Sequence, residues 1–465
     1  MSEPSRRTVA IVGAAIAGPT LAVQMLSHPL LRARFRPVLY EQTSAPASLL
    51  PASSRGNSPS AIKDTAPPSC KPRAGASVGL FANGLFPLRQ LGLADALKSR
   101  GFECGDLSLW QASLDGSHEK LHTQVNPTWS HEMQAGVMYY EWAGLREILL
   151  ERVIELGGEM KWDTEVVDIQ APGAGPITLG LRGGKEEAAD LLVGADGGFS
   201  KIRRFILEKR DPFTAAAKWM PGFFGMTGIY GISSIERTAE QDSTQHCIWL
   251  DRGFAATGPC PDSKYRWDLI LHESSPPEYV EGASTTAPSN EGLTDITDPT
   301  EKKWADLMEP GLYLHASTLD ILRAHKHVFH PIAGTFENLF SSSDRIIRTP
   351  LRQRVWEEDE IQWNNTVTIG DAARLMLPTS GQGTGFAIED ATVLANCLVK
   401  AATAEENGVG YPIQKALEEY ANQRVHRSKK MARMATAAGS MSQGLTWFWK
   451  AVRYYSSKLP TSDRK

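Results

Sequence analysis

The sequence predicts an α/β protein, with a parallel strand–helix–strand unit at its start, an antiparallel layer further on and helices at its end. Three stretches carry this. "TVAIVG" is a short apolar run, rich in β-branched residues and closed by glycine, the pattern of a buried parallel strand. "YRWDLIL" alternates, placing Tyr265, Trp267, Leu269 and Leu271 on one face, with Ile270 out of pattern. "NNTVTIGDAARLMLPTSGQGTGFAIEDATVLANCLVKAAT" then returns to strand, glycine turn and helix.

Bulk properties bound the function. The 465 residues are 42% hydrophobic, enough for two or three domains' worth of core. A net charge of −4 argues against nucleic acid as the main partner. Five cysteines stand at 70, 104, 247, 260 and 397 without C-x-x-C spacing. Neither a disulfide framework nor a metal site is expected, and a cytoplasmic location fits best. The first apolar run leads straight into a glycine turn, which reads as a core strand and not a signal peptide. No stretch of about 18 uninterrupted apolar residues suggests a membrane span.

The elements follow in order. After "TVAIVG", the segment "PTLAVQML" has helical spacing at Leu21, Met25 and Leu26, with Pro19 near the first turn, where its missing N–H costs least. "RPVLYEQ" is the second strand and ends at Glu41. Residues 42–73 are a Ser/Pro-rich insertion loop without a period. From Gly144, Leu145, Ile148, Leu149, Val153 and Leu156 make one helical stripe. "ADLLVGADGG" is a further buried strand, 219–273 is antiparallel sheet, and 273–300 is polar loop. The tail holds Arg424, Arg427, Lys429, Lys430, Arg433, Lys450, Arg453, Lys458, Arg464 and Lys465 against Asp463, with "LTWFWKAVRYY" among them. It reads as a packed helix with a solvated basic face. Weak peripheral contact with an anionic membrane is the second reading.

Three places carry chemistry. In "GAAIAG", Gly13 permits a tight turn and Gly18 close helix–strand packing, while Ala15 stands where glycine is usual beside a pyrophosphate. Glu41, at the end of the second strand, is placed to bind a ribose hydroxyl, and it disfavours a 2′-phosphate. These residues alone suit either a dinucleotide site or a plain βα corner. In "DLLVGADGGFSKIRR", Asp196 and Gly197 make a turn followed by Ser200, Arg203 and Arg204, and an ordinary Asp-Gly turn accounts for them equally well. In the third stretch, Asp371 can accept from a sugar hydroxyl. Gly381, Gly383, Thr384 and Gly385, after Pro378, can offer N–H groups to an anion or a polar ring edge.

Together, in this order, the three places resemble the FAD-dependent monooxygenases of the para-hydroxybenzoate hydroxylase type, the group A flavoprotein hydroxylases. "PRAGASVGLFANGLFPLRQLGL", with Arg73, and "EWAGLREILL", with Arg146, resemble the family's cofactor-contacting segments, and "TPLRQRVW" also fits. The resemblance spans most of residues 8–430. It departs at Ala15, at Arg374 (commonly histidine), at Gly385 (commonly asparagine) and in the long insertion.

The resemblance implies a Rossmann-like FAD-binding fold of the GR2 type, with a mixed β-sheet substrate domain and C-terminal helices. The FAD-binding domain would take 8–41, 74–205 and 350–400, the substrate domain 206–349 and the helical region 401–465. Gly13, Ala15, Gly18, Glu41, Arg73, Arg146 and Asp371 would hold FAD. Pro378 and Gly381 to Gly385, including Gly383 and Thr384, would line the flavin ring. Asp196 and the nearby arginines would serve FAD or the transient donor, NADPH or NADH. With O2, a flavin C4a-(hydro)peroxide would hydroxylate or epoxidise a small organic substrate, aromatic or polyketide/terpenoid in type, in specialised metabolism. Tyr230, His246 and His272 read as structural, and no catalytic side chain is assigned. A dehydrogenase, a halogenase or a non-catalytic flavin binder on the same fold are the alternatives; W-x-W-x-I-P, the halogenase signature, is missing from the sequence.

Overall fold

The computed structural model describes residues 6–49, 77–132, 134–171, 175–238, 241–277, 296–309 and 311–456. Arg73, most of the 42–73 insertion, most of the 273–300 loop, Lys458, Arg464 and Lys465 lie outside the described residues.

Val9, Ala10 and Ile11 are fully shielded, as the middle of a parallel sheet covered on both faces requires. Their strand, Arg7–Val12, lies between Phe35–Tyr40 and Leu191–Gly194, parallel to both. Thr366–Thr368 and Glu159–Lys161 extend this sheet in parallel, and Gln362–Trp363 closes one edge antiparallel. One face carries the helices Ala17–Ser27, Trp142–Glu155 and Gly383–Glu406, through Leu21, Met25, Leu145, Ile148, Leu149, Val153, Leu394 and Leu398. The other face packs on a three-stranded sheet, Val166–Gln170, Ile177–Leu181 and Glu186–Ala189, and on Ile202 of the helix Lys201–Arg210. Pro19 is the third residue of its helix.

The second sheet has eight strands. In spatial order they are Arg374–Leu375, Ser343–Val355, Gly222–Ser234, Lys264–His272, Gly253–Pro259, Thr244–Leu250, Asp106–Ala112 and His118–Gln124. Neighbours are antiparallel, except that Thr244–Leu250 runs parallel to Asp106–Ala112. The sheet thus draws two strands from within 74–205 and extends beyond 206–349.

Tyr265, Trp267, Leu269 and Leu271 do share one face, packed on Trp304, Leu319, Leu322, Phe336 and Phe340 of three short helices. Ile270 breaks the alternation because the opposite face is apolar too: it joins Leu109, Met226, Trp249, Phe254, Leu351, Leu377 and Ala435.

Two helices, Ile413–Gln443 and Trp447–Ser456, close the chain. Arg427, Lys430, Arg433 and Lys450 are exposed, as a solvated basic face requires, but Arg424 and Arg453 are not part of it. Buried Arg424 reaches Asp390 at 2.6 Å and Glu389 at 2.9 Å, while Arg427, Lys429 and Lys450 pair with Glu389, Glu357 and Asp251. Arg453 is buried and donates to the carbonyls of Leu250, Gly253 and Ser442, and burial pulls its pKa down to about 10. The cause is packing: these helices lie on acids and carbonyls of earlier elements. Trp447, Phe448 and Tyr455 remain exposed. Among the described residues, no helix is long and apolar enough to cross a membrane.

Candidate functional site

Gly13 has φ +108°, and a Cβ there would press into the Ala195 carbonyl, so backbone and space both demand glycine. A Cβ at Gly18 would strike the Gly13 carbonyl, so the helix lies directly on the turn. Ala15 is not at positive φ and is half-buried. Its methyl therefore imposes no backbone strain. Glu41 accepts from the Ala14 N–H at 3.0 Å through Oε2, and from the Thr43 N–H and hydroxyl at 3.0 and 2.9 Å through Oε1. Buried Arg146 donates through Nε to the Ala14 carbonyl at 2.6 Å and lies 3.5 Å from Glu41. Burial lowers the Arg146 pKa, and Glu41 opposes that. The two expected nucleotide residues thus also clamp the peptide of the turn.

The distant Gly370-Asp371 turn arrives at the same place. Gly370 has φ +63°, and a Cβ on it would lie 3.0 Å from the Ala17 Cβ and 3.6 Å from the Ala387 Cβ. The turn is wedged between the first turns of two helices, Ala17–Ser27 and Gly383–Glu406. Asp371 is exposed at this turn, yet desolvation by the surrounding protein pushes its carboxyl up to about 6, with Arg374 and Arg203 opposing and Asp390 reinforcing.

Behind the turn lies a network that sequence reasoning missed. Asp390, fully buried, accepts from the Gly370 N–H at 2.7 Å, from Arg424 Nε at 2.6 Å and from Arg374. The guanidinium groups of Arg374, Arg424 and Arg427 surround the Phe386 ring at 4.9, 5.2 and 4.8 Å. Arg374, in the place where histidine is common, is thus an inward-facing partner of Asp390. The acid pair Glu389-Asp390, set in an otherwise apolar helical turn, was the available signal.

The glycine loop completes this wall. Pro378 opens the single turn Pro378–Ser380, and Thr379 donates to the Ala435 carbonyl at 2.7 Å. Gly381 has φ +64°, and a Cβ there would meet the Phe81 ring at 3.2 Å, whereas a Cβ on Gly383 would enter open space. Half-buried Thr384 sits in the first turn of Gly383–Glu406. A Cβ on Gly385 would come within 3.1 Å of Asn83 Nδ2, so the Asn83 amide occupies the space that a side chain at 385 would take. Asn83 in turn donates to Glu389 at 2.6 Å.

Asp196 adjoins Gly13, and its Oδ2 accepts from the Lys201 and Ile202 N–H groups at 2.7 and 3.2 Å, so it caps a helix. Its Oδ1 is buried without a hydrogen-bond partner, and burial raises its pKa. Arg203 is no solvated charge. It is fully buried, donates to the carbonyls of Ala372 and Gly198 at 2.7 Å and of Trp219 at 3.0 Å, and stacks 3.6 Å from the Trp356 ring centroid. Burial pulls its pKa to about 9. It braces the 370–372 turn from behind. Arg204 pairs with Glu208 at 3.0 Å.

Leu377, beside the glycine loop, and Ala435 pack on the apolar face of the eight-stranded sheet, which brings that face next to the loop. At the sheet's far edge a cavity of about 630 Å³ is lined by Gln111, Leu121, Trp249, Lys450 and Tyr454, among others. Tyr230 lies on this face, and burial raises its pKa. His246 turns to the other side, where Nδ1 accepts from Trp110 Nε1 at 3.2 Å and burial lowers its pKa to about 4. His272 ends its strand with Nδ1 buried and unpartnered. Among the described residues, no cluster of His, Cys, Asp or Glu could hold a metal.

These features fit FAD. Neither Ala17–Ser27 nor Gly383–Glu406 has a side chain bonding its first-turn N–H groups at the N-cap, and the Gln382 Oε1 beside them is buried without a partner. The two uncapped first turns flank the Gly370 turn, and a Cβ on Gly383 at the start of the second would meet nothing. Fold and site therefore define an FAD-binding flavoprotein.

Comparison with known proteins agrees. A family model described as an FAD binding domain matches residues 336–435. A dual trans-enoyl reductase/FAD-dependent monooxygenase of Aspergillus terreus is 26% identical over 95% of this chain, which spans 55% of that protein's length. The aurachin C monooxygenase/isomerase of Stigmatella aurantiaca is 25% identical over 84% of this chain and 86% of its own. The structure of Klebsiella pneumoniae HpxO complexed with FAD and uric acid shares the fold, with a TM-score of 0.69 at 15% identity, over 97% of this chain and 92% of that one. The chain is thus similar to FAD-dependent monooxygenases, shares the fold of FAD-binding flavoproteins, and takes FAD as its cofactor.

Proposed function

We propose that this protein takes electrons from NADPH or NADH and one oxygen atom from O2 to hydroxylate or epoxidise a small organic substrate of aromatic or polyketide/terpenoid type. One observation carries the reading: the glycine turns meet beside a loop that packs on an apolar sheet face. FAD, when bound, supplies the redox and oxygen-activating chemistry. The chain's own residues bind, orient and shield. The first turn of Ala17–Ser27 offers N–H groups to the pyrophosphate, past Gly13, Ala15 and Gly18. Glu41 and Asp371 accept from sugar hydroxyls, with Arg146 fixing the Ala14 peptide. Asp196 serves the same nucleotide wall. Pro378 and the segment Gly381 to Gly385 present backbone to the ring. Phe254, Ile270, Leu351 and Leu377 keep water from the reacting atoms. A relative named for aurachin C and a fold neighbour holding uric acid support a small organic substrate.

The test is a compound screen on FAD-loaded protein, scored by stimulated NAD(P)H oxidation and by product mass under isotope-labelled O2. A product carrying the label is expected. Substrate oxidised without gaining labelled oxygen would make the protein a dehydrogenase, a halogenated product a halogenase, and a chain that cannot be loaded with FAD a non-catalytic relative.

A further inference from the structure

We propose that Asp268, held by Arg266, is the polar anchor for a substrate seated on the Ile270 face of the eight-stranded sheet. It selects a largely apolar compound that presents a single N–H or O–H donor.

The strand Lys264–His272 runs through the middle of the eight-stranded sheet. Side chains alternate along it. Tyr265, Trp267, Leu269 and Leu271 enter the core under the helices, so Arg266, Asp268 and Ile270 share the other face. Asp268 lies between Tyr230 on one neighbouring strand and Ala256 on the other, with Cys247 beyond Ala256. The next row along the strands is Ile270, Phe254 and Trp249. The floor around Asp268 is therefore apolar, apart from the Tyr230 hydroxyl and Arg266.

Two nitrogens of Arg266 are engaged, while its Nε is buried without a partner. Its Nη1 donates to Asp268 Oδ2 at 2.6 Å, and its Nη2 donates to Gln245 Oε1 at 3.1 Å. Gln245 Oε1 also accepts from the Tyr139 hydroxyl, and the guanidinium stacks 4.3 Å from the Tyr139 ring centroid. Asp268 is not committed. Among the described residues none bonds its Oδ1, and its side chain keeps 20% of its surface open in the middle of a sheet covered on both faces. Burial pushes the Asp268 carboxyl pKa up, and Arg266, donating to Oδ2, works against that. An ionised carboxylate only accepts hydrogen bonds. A ligand on this floor that brings a donor satisfies it, whereas an isostere without the donor leaves a buried charge unpaired.

The inference rests on the proposed placement of substrate on this face. Its test uses FAD-loaded protein and two probe pairs, indole with 1-methylindole and 2-naphthol with 2-methoxynaphthalene. Binding is read from the change in flavin absorbance. Each donor probe is expected to bind about tenfold or more tightly than its methylated partner. Asp268→Asn should shrink that ratio. Asp268→Leu combined with Arg266→Met, which leaves no unpaired charge, should bring it within about twofold. A purely structural ion pair would change thermal stability and leave the ratio alone. Equal binding within each pair, no binding by either donor probe, or an unchanged ratio in the double variant would overturn the assignment. NAD(P)H oxidation without any oxygenated product would count against the monooxygenase reading instead, since the ratio does not depend on turnover.

Discussion

Replacing Asp390 by alanine should detach the Gly370-Asp371 turn from its support. The carboxylate is completely buried and serves three donors: the Gly370 N–H, Arg424 and Arg374. Removing one partner of a buried ion pair costs about 3–5 kcal/mol, because the remaining charge loses its counter-ion. The two arginines are unequally exposed to that loss. Arg424 keeps Glu389 at 2.9 Å, whereas Asp390 is the one acid that the described ion pairs give Arg374. One orphaned guanidinium and one unpaired N–H place the expected loss at about 3–4 kcal/mol. That is a large share of the roughly 5–15 kcal/mol that separates folded from unfolded proteins. Urea unfolding followed by tryptophan fluorescence gives the stability, and visible absorbance gives the FAD content. Arg374→Met added to Asp390→Ala should restore part of the loss, because it removes the orphaned charge. A single variant within about 1 kcal/mol of wild type that keeps stoichiometric FAD would refute the reasoning.

Gly13→Val should abolish FAD binding in a fluorescence titration, because both φ and the Ala195 carbonyl exclude a side chain, whereas Ala15→Gly should bind FAD equally well or better. Gly385→Asn should lose flavin in the wild-type background and regain it with Asn83→Gly, because the two side chains compete for one space. His246 has a folded pKa of about 4 against an unfolded value near 6.5. The unfolded chain therefore binds the proton first as pH falls, so this contribution is complete above pH 6.5 and is lost down to pH 4. It amounts to about 3 kcal/mol. Between pH 7 and 4.5, His246→Gln should lose less stability to urea than wild type, and parallel losses would contradict this.

Much of the first sheet was legible because its strands are buried on both faces. "TVAIVG" and "DLLVG" could hardly be anything else once glycine ended each run. The face shared by Tyr265, Trp267, Leu269 and Leu271 was legible from alternation alone. The last two strands of the second sheet, Asp106–Ala112 and His118–Gln124, were not, because what places them is the parallel pairing of the first of them with Thr244–Leu250, far along the chain. The helices between 299 and 341 are short and went unread. In the site, glycines announced themselves, since few residues tolerate the positive φ at 13, 370 and 381. The supporting charges did not. Arg203, Arg374 and Arg424 look like surface residues in a one-dimensional reading. Their burial depends on acceptors supplied by remote elements: Ala372 for Arg203 and Asp390 for the other two. Asn83 escaped notice for the same reason, because its neighbour Gly385 is adjacent only in space.

The strand Lys264–His272 separates two inheritances within nine residues. Odd-numbered positions hold the helices to the sheet and are answerable to stability. Even-numbered positions from Arg266 to Ile270 lie on the other face, where the proposed substrate would sit. A lineage can therefore rewrite what it accepts by changing alternate letters of one strand, without renegotiating the packing that keeps the sheet in place. Libraries confined to Asp268, with Tyr230 and Ala256 beside it, would search chemistry while leaving Ile270 and Arg266 to their packing.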